Sequence, residues 1–504
     1  SPTPRGEIAR QLNVHLGVKR GGRPPPSTAV HESIGLDQGS MLNLMSRLMA
    51  DLRPAPRNVV GMGSRSILAV LAALGGLVGA TFVAAVAAPA PEVQAAGGTT
   101  SAYVAMPTSQ RLLDTRRSTP VLAGQTISVS VAGRSPLPTP GAVTAAVLNL
   151  TVVPPSGPGF WTVWPNGSPR PEASNVNVDE VQFLSGSVTP NLVTVPVSPD
   201  GVVDVYSSGG GNVIVDLLGY YTPADTATAG RFEPLRAPTR VLDTRGAATF
   251  SAGETRAFTV PGAAGARAVA LNLTAVTNTP GFWQAYAQGS PAPATSNLNS
   301  PAGQSAAIAN QAIVTVDANG AISIFSENGG DLIIDLVGTY TGDTAPSSTT
   351  GLFVPMSTPT RIVDTRIAAL NPLGGTTRPP MNGTFEVPVA ANRAIGRSDV
   401  SAVAINATTV DALTIGYLTV GTAGSTDPAS MPKTSTMNVV RPSQMLANHA
   451  IVPVSERGFF MFTQPGGHLL ADLAGYFVGS PTAAAFGPRV TPPAPTCSTP
   501  TVGE

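Results

Sequence analysis

The chain has 504 residues, with 53 Gly and 49 Pro, only 12% charged residues and a formal net charge of zero. Such a composition excludes an acidic disordered chain and lacks the electrostatic footprint of a nucleic-acid binder, while 42% hydrophobic residues can fill more than one core. Cys497 is the single cysteine, which excludes an internal disulfide and a cysteine metal site within one chain and leaves only an intermolecular disulfide.

In chain order, residues 1–60 carry Arg, Pro and Gly clusters and are given no fold; they are expected to be a disordered extension. Residues 67–88 form an uncharged run preceded by Arg53, Arg57 and Arg65. As a helix this run would be about 33 Å long, enough to cross a bilayer core. The segment 61–95 is therefore expected to be a signal peptide or a transmembrane anchor. The triplets Ala85-Val86-Ala87 and Val93-Gln94-Ala95 favour cleavage near Ala95.

The body is one pattern written three times. Hexamers of the form RxxDTR run from Arg111 to Arg116, Arg240 to Arg245 and Arg361 to Arg366. Next come Asn149-Leu-Thr151, Asn272-Leu-Thr274 and Asn406-Ala-Thr408, then Gly159-Phe-Trp161, Gly281-Phe-Trp283 and Gly416-Tyr-Leu418. Ser174-Asn-Val-Asn177, Ser296-Asn-Leu-Asn299 and the looser Ser435-Thr-Met-Asn438 follow. Each unit closes on an apolar stretch with an embedded aspartate: Asp216 in VIVDLLGYY, Asp335 in LIIDLVGTY and Asp472 in LLADLAGYF.

The landmarks delimit units 101–222, 231–341 and 352–478, with small polar joints at 222–230 and 341–351 and a disordered Pro/Thr/Ala-rich tail at 479–504. Within a unit the periodicity is two, as in Thr126 to Val131 and Ala146 to Val152. The expected class is all-β: three tandem antiparallel β-sandwich domains, jelly-roll or immunoglobulin-like, after an N-terminal signal or transmembrane helix, with a small barrel as the alternative. The runs Gly209 to Gly211 and Gly329-Gly330 read as hairpin turns rather than phosphate loops.

A carboxylate inside each unit's most apolar strand requires a donor. First and last strands of a unit are expected to adjoin, gathering the hexamer's charges and the strand aspartate into a structural cluster. The clusters are Arg111, Asp114, Arg116 and Asp216; Arg240, Asp243, Arg245 and Asp335; and Arg361, Asp364, Arg366 and Asp472. Strand alternation would put Asp114 and Arg116 on one face and Arg111 on the other. Read as chemistry, two recurrent aspartates per unit suggest glycoside hydrolysis, but arginine-flanked aspartates are expected to stay ionised, which does not suit a general acid. Asp200, Asp204 and Asp225 lack the spacing of a calcium loop, so no metal and no cofactor is expected. His449 and His468, both in the third unit, cannot give the repeat a histidine-dependent triad. No GxSxG, HExxH or phosphate-cradling motif occurs. Trp161, Trp164, Trp283 and Tyr417 are the candidate stacking residues for a ligand, with packing into a core as the competing role.

The ordered set RxxDTR, NLT, SNxN and DLxGYF resembles the tandem β-repeat regions of exported actinobacterial proteins, over residues 100 to 478. The resemblance implies export and transfers no catalytic role. The expected function is a non-enzymatic secreted or cell-surface protein: a structural, adhesive or glycan-binding array whose partners are cell-wall or extracellular glycans or other surface proteins. Membrane contact is expected only through residues 67–88, if uncleaved. A secreted carbohydrate-active or wall-remodelling enzyme and a membrane-tethered ectodomain are the alternatives.

Overall fold

Alternating apolar residues form extended segments throughout the repeated region of a computed structural model, which describes residues 98–133, 135–300, 306–424 and 434–482. The expectations for 1–60, for the apolar run 67–88 and its cleavage, and for Cys497 lie outside the described residues. Among the described residues, no helix is long and apolar enough to cross a membrane.

The first repeat contains β1 (Ser101–Asp114), β2 (Thr126–Ser130), β3 (Ala145–Pro155), β4 (Gly159–Pro165), β5 (Val176–Val178), helix α1 (Glu180–Leu184), β6 (Thr189–Pro196), β7 (Val202–Ser207) and β8 (Gly211–Pro223). The second has β9 (Phe232–Asp243), β10 (Phe250–Thr259), β11 (Ala268–Thr277), β12 (Gly281–Ala287), β13 (Leu298–Ser300), β14 (Ala306–Thr315) and the long β15 (Ala321–Tyr340). The third has β16 (Phe353–Asp364), β17 (Gly383–Val387), β18 (Val400–Val410), β19 (Gly416–Thr422), β20 (Met437–Val439), β21 (Leu446–Pro453), β22 (Phe459–Thr463) and β23 (His468–Val478).

All strand pairings are antiparallel, and each repeat has the same two strand orders. One is β1-β8-β3-β6, matched by β9-β15-β11-β14 and β16-β23-β18-β21. The other is β2-β7-β4-β5, matched by β10-β15-β12-β13 and β17-β22-β19-β20. First and last strands of each repeat are neighbours. Side chains from both sheets of a repeat make one apolar cluster: Leu148, Trp161 and Val215 in the first, Leu271, Trp283 and Ile334 in the second, Ile405, Leu418 and Leu473 in the third.

The glycine runs do not make hairpins. β7 and β8 belong to different sheets, and β15 passes from one sheet to the other through Gly329 and Gly330, at φ of 76° and 116°. A Cβ on Gly329 would lie 2.5 Å from the Phe250 carbonyl oxygen, so the corner needs glycine for conformation and for space.

The joints are ordered. Arg231 holds both, donating to the carbonyls of Ala227, Pro346 and Thr350 at 2.8–2.9 Å, and the joints pair through Ala227 and Ser348. The start of the tail is also docked: Thr482 donates its N–H to Val454 O. The three repeats share a fourth core, built from equivalent positions in each. Six rings close a cycle there: Tyr103, Tyr221, Phe353, Phe477, Phe232 and Tyr340, each next to the following one and the last next to the first, with centroids 4.3–5.3 Å apart. Tyr221 and Tyr340 also join their hydroxyls at 2.8 Å.

The glycine of each DLxGYF motif makes room for these rings. A Cβ on Gly219, Gly338 or Gly475 would come within 2.2–2.6 Å of Tyr103, Phe232 or Phe353 respectively. Gly98 lies against Pro355 and Thr482 against Val454, so the first and last described residues both lie at the ring end of the assembly.

Candidate functional site

The recurring polar residues form three spokes. Register pairs Arg111 with Asp216, Asp216 with Asn149 and Asn149 with Leu192 across four neighbouring strands. The second spoke is Arg240, Asp335, Asn272 and Gln311; the third is Arg361, Asp472, Asn406 and His449. Strand alternation explains which side they occupy: Val215 and Leu217 point into the repeat's own core, so Asp216 points out of it. The charges thus sit on the face turned toward the next repeat, and not inside a two-sheet shell as the apolar setting of Asp216 suggests.

Each strand aspartate is 0–2% exposed and grips its arginine in a two-pronged bond: Arg111 Nε to Asp216 at 2.8 Å, Arg240 Nε to Asp335 at 3.0 Å and Arg361 Nε to Asp472 at 2.8 Å. The arginine also reaches the hexamer aspartate, Asp114, Asp243 or Asp364, at 3.2–3.5 Å. That aspartate in turn binds Arg116, Arg245 or Arg366 at 2.7 Å. Arg111 and Arg116 meet the same carboxylate, where strict alternation would separate them, because the ladder slips between Arg111 and Leu113 and the chain tightens into a 3-10 turn at Thr115–Arg117.

The two sets of aspartates titrate in opposite directions. The Arg116 hydrogen bond holds Asp114 down to about 2, and that of Arg245 lowers Asp243. For Asp364, burial pushes upward but the Arg366 bonds win, and the net shift is down. For Asp216, Asp335 and Asp472, desolvation pushes up and prevails over the arginine, so flanking arginine alone does not predict their behaviour. A raised carboxyl pKa suits a general acid, but these groups are covered: Arg111 Nη2 donates to Ala294 O and Arg361 Nη2 to Glu172 O, both on the next repeat.

The same seam uses the asparagine motifs. Asn149 Nδ2 donates to Ser296 O at 2.8 Å, Asn272 to Ser435 O at 2.6 Å and Asn406 to Ser174 O at 2.6 Å. Repeat one therefore holds two, two holds three and three holds one, a closed cycle in which each NLT strand reads the neighbour's SNxN turn. Three further asparagines, Asn191, Asn310 and Asn448, escape the sequence motifs. They bind Asn175 O, Asn297 O and Thr436 O, the turn of their own repeat, at 2.6–2.7 Å. Their signal was their recurrence beside Leu192, Gln311 and His449 in corresponding strands.

At the hub, the Gln311 side-chain carbonyl lies 2.7 Å from His449 Nδ1 and accepts the Ile451 N–H at 2.9 Å, which makes Nδ1 the protonated ring nitrogen. His449 Nε2 is buried and has no partner, and burial brings the histidine down to about 3. His468 instead meets Thr365 Oγ1 at 3.0 Å, where the motif threonine clamps the start of β23. Among the described residues no cluster of His, Cys, Asp or Glu is arranged to hold a metal ion.

Of the candidate stacking residues, Trp161 and Trp283 are 1% and 2% exposed within the repeat cores, leaving no ring face for a ligand. Trp164 is also buried, donating Nε1 to Ser168 O. Tyr417 is half-buried and lies 5.7 Å from Phe462, on the side of β19 opposite the core residue Leu418. Equivalent half-buried pairs occur in the other repeats, Phe160 with Tyr206 at 5.9 Å and Phe282 with Phe325 at 5.7 Å. The Arg170 guanidinium covers the Tyr206 ring at 3.8 Å.

No family model matches the chain, and no curated protein does. Among solved structures, the crystal structure of YhhW from Escherichia coli is similar at 8% identity, covering 45% of this chain and 97% of that one, with a TM-score of 0.13.

Proposed function

We propose that the chain is a non-enzymatic exported protein of the cell envelope or its surroundings, a rigid glycan-binding array of three jelly-roll domains. The strand orders support the jelly-roll reading: each repeat's first and last strands are neighbours, and its strands pass back and forth between two sheets, apart from the paired neighbours β4 and β5, β12 and β13, and β19 and β20. In this reading the three domains are residues 101–222, 231–341 and 352–478, and the Arg-Asp-Asn spokes support their assembly as a pseudo-trimer. Export follows from the apolar run 67–88 and from the resemblance to repeat regions of exported actinobacterial proteins.

The observation that carries the recognition role is the outward aromatic pair at one position of every repeat: Phe160 and Tyr206, Phe282 and Phe325, Tyr417 and Phe462. Apart from Tyr206, whose ring Arg170 covers, these flat half-exposed rings suit the apolar faces of sugars, and three fixed copies convert weak single contacts into avidity. The recurrent acids are engaged at the seams, which favours a scaffold over hydrolysis. The test is a sedimentation assay of the full chain with insoluble peptidoglycan and with cellulose. Substituting Phe160, Phe282 and Tyr417 by alanine one after another should weaken retention stepwise, by about tenfold or more for the triple variant. Full retention by the triple variant, or no retention of the native chain, rejects the array.

A further inference from the structure

At the end away from the six rings, the three repeats flank a cavity of about 80 Å³ whose wall includes Asn299 and Asn438, the closing asparagines of two SNxN motifs. The innermost strands of all three repeats line it, through Thr189, Ile308 and Leu446 among others, and exposed Val181 and Ser185 of the first repeat stand at its mouth. Threefold likeness breaks down here. Helix α1 is described only in the first repeat, and of the two SNxN asparagines on the wall, Asn299 and Asn438, only Asn438 has a buried amide nitrogen with no partner.

Amide donors of the third repeat stand on this wall. Asn438 Nδ2 is buried with no partner. Gln444 is 4% exposed and gives its carbonyl oxygen to the Val440 N–H, while its Nε2 binds none of the described residues. A buried amide N–H group without an acceptor is costly, and Asn438 supplies one on this wall; the Gln444 amide beside it likewise has no acceptor among the described residues, so the wall offers a place for a carbonyl oxygen. The wall is electrically balanced: its one charged side chain, Arg441, is already paired with Asp179. A neutral acceptor therefore fits better than a carboxylate. Val188, Ile308 and Leu446 offer apolar surface beside the donors. The volume is roughly half that of a cavity of about 150 Å³ that accepts benzene, room for about three or four non-hydrogen atoms. A methyl next to a carbonyl, on a group of that size, describes an acetamido group.

We propose that this axial cavity seats the acetamido group of one N-acetylated amino sugar per chain, with Asn438 and Gln444 donating to its carbonyl oxygen. The proposal rests on the glycan-binding reading and differs from it in stoichiometry, one site against three, and in chemistry, acetyl against ring face. Calorimetric titration of the full chain with N-acetylglucosamine, and with glucosamine as the sugar lacking the acetyl group, tests it.

One site per chain is expected, with glucosamine at least about tenfold weaker, since the donors then lose their acceptor. Gln444→Glu, which keeps the oxygen bonded to Val440 and removes the donor, should cost a similar factor. Ala309→Leu, which fills the cavity, should abolish binding while leaving peptidoglycan retention through the outer rings in place. Thermal melts establish that each variant folds. Equal binding of both sugars, no binding of either, or binding untouched by both Gln444→Glu and Ala309→Leu overturns the axial site. Three equivalent sites lost only with the outer rings would overturn it and keep the array. A single site lost with Ala309→Leu and indifferent to the rings would keep it and reject the array.

Discussion

The ring cluster and the spoke hub are both built from equivalent positions of three repeats, yet one keeps its likeness and the other does not. Tyr103, Phe232 and Phe353 with Tyr221, Tyr340 and Phe477 are all aromatic, whereas the hub holds Leu192, Gln311 and His449. Dispersion between rings has no donor and no acceptor, so identical residues can meet around an axis without conflict. Hydrogen bonds have direction, and three identical polar groups converging on one point are matched only if each donates to the next around a ring. A leucine, an amide and an imidazole avoid that conflict except at His449 Nε2. The polar weight is carried instead by the spokes, where each donor faces a neighbour's backbone.

The largest effect that separates these two regions should come from breaking a spoke. Asp335→Ala removes the buried carboxylate of the middle spoke, whose two-pronged bond with Arg240 is lost, and should cost about 3–5 kcal/mol. Chemical denaturation should then show the middle repeat melting ahead of the others; a single unshifted transition would mean that the spokes are not what couples the repeats. A smaller effect is expected from the ring cluster. Gly475→Ala places a methyl 2.3 Å from Phe353 Cζ, and overpacking of this kind costs about 1–3 kcal/mol. A loss of ring-cluster signal in near-ultraviolet circular dichroism, with the spokes intact, would accompany it.

The hub predicts an acid sensitivity with a definite sign. Folded His449 titrates near about 3, below its unfolded value, so between the ordinary histidine range and about 3 the unfolded chain binds the extra proton. Stability should therefore fall as pH drops, by about 1.4 kcal/mol per pH unit from this group. Asp114, Asp243 and Asp364, lowered in the fold, add a loss at more acidic pH. Asp216, Asp335 and Asp472, raised in the fold, act the opposite way and lose stability as pH rises through their range. His449→Gln should flatten the slope between pH 6 and 5, roughly the upper part of the histidine window, in urea melts at each pH; an unchanged slope would place the acid response elsewhere. The smallest change is expected from Arg245→Ala. Its side chain is 49% exposed, and exposed pairs contribute about 1 kcal/mol or less. Its melting midpoint should barely move.

Much of the fold was legible because the pattern repeats. Period-two alternation identified strands such as β2 and β3, and a carboxylate between Val215 and Leu217 demanded an arginine. The target of that demand was less legible, since alternation says that Asp216 leaves its own core but not what it meets outside. The seam depends on Ala294, Ser296 and their equivalents, which offer only backbone carbonyls, and a carbonyl has no sequence signature. The first-strand rings Tyr103, Phe232 and Phe353 recur at one interval before the hexamer's first arginine, a signal present in the sequence but overshadowed by the louder hexamer. The glycine corners were misread as hairpins because composition marks a bend without telling which sheet the next strand joins. The axial cavity depends on Gln444 and on an Asn438 amide left without a partner, and the motif that marks Asn438 does not tell which of its copies lacks one.

Gly98 and Thr482 lie together at the ring end, on the opposite side from the cavity mouth. A tether attached at Gly98 or at Thr482 would grip the three repeats by one pole and leave the other facing outward, like a lamp on a bracket. Load along such a tether would reach the first and third repeats first, at Gly98 and beside Val454, and pass to the middle one through the ring cluster, the joints and the seams.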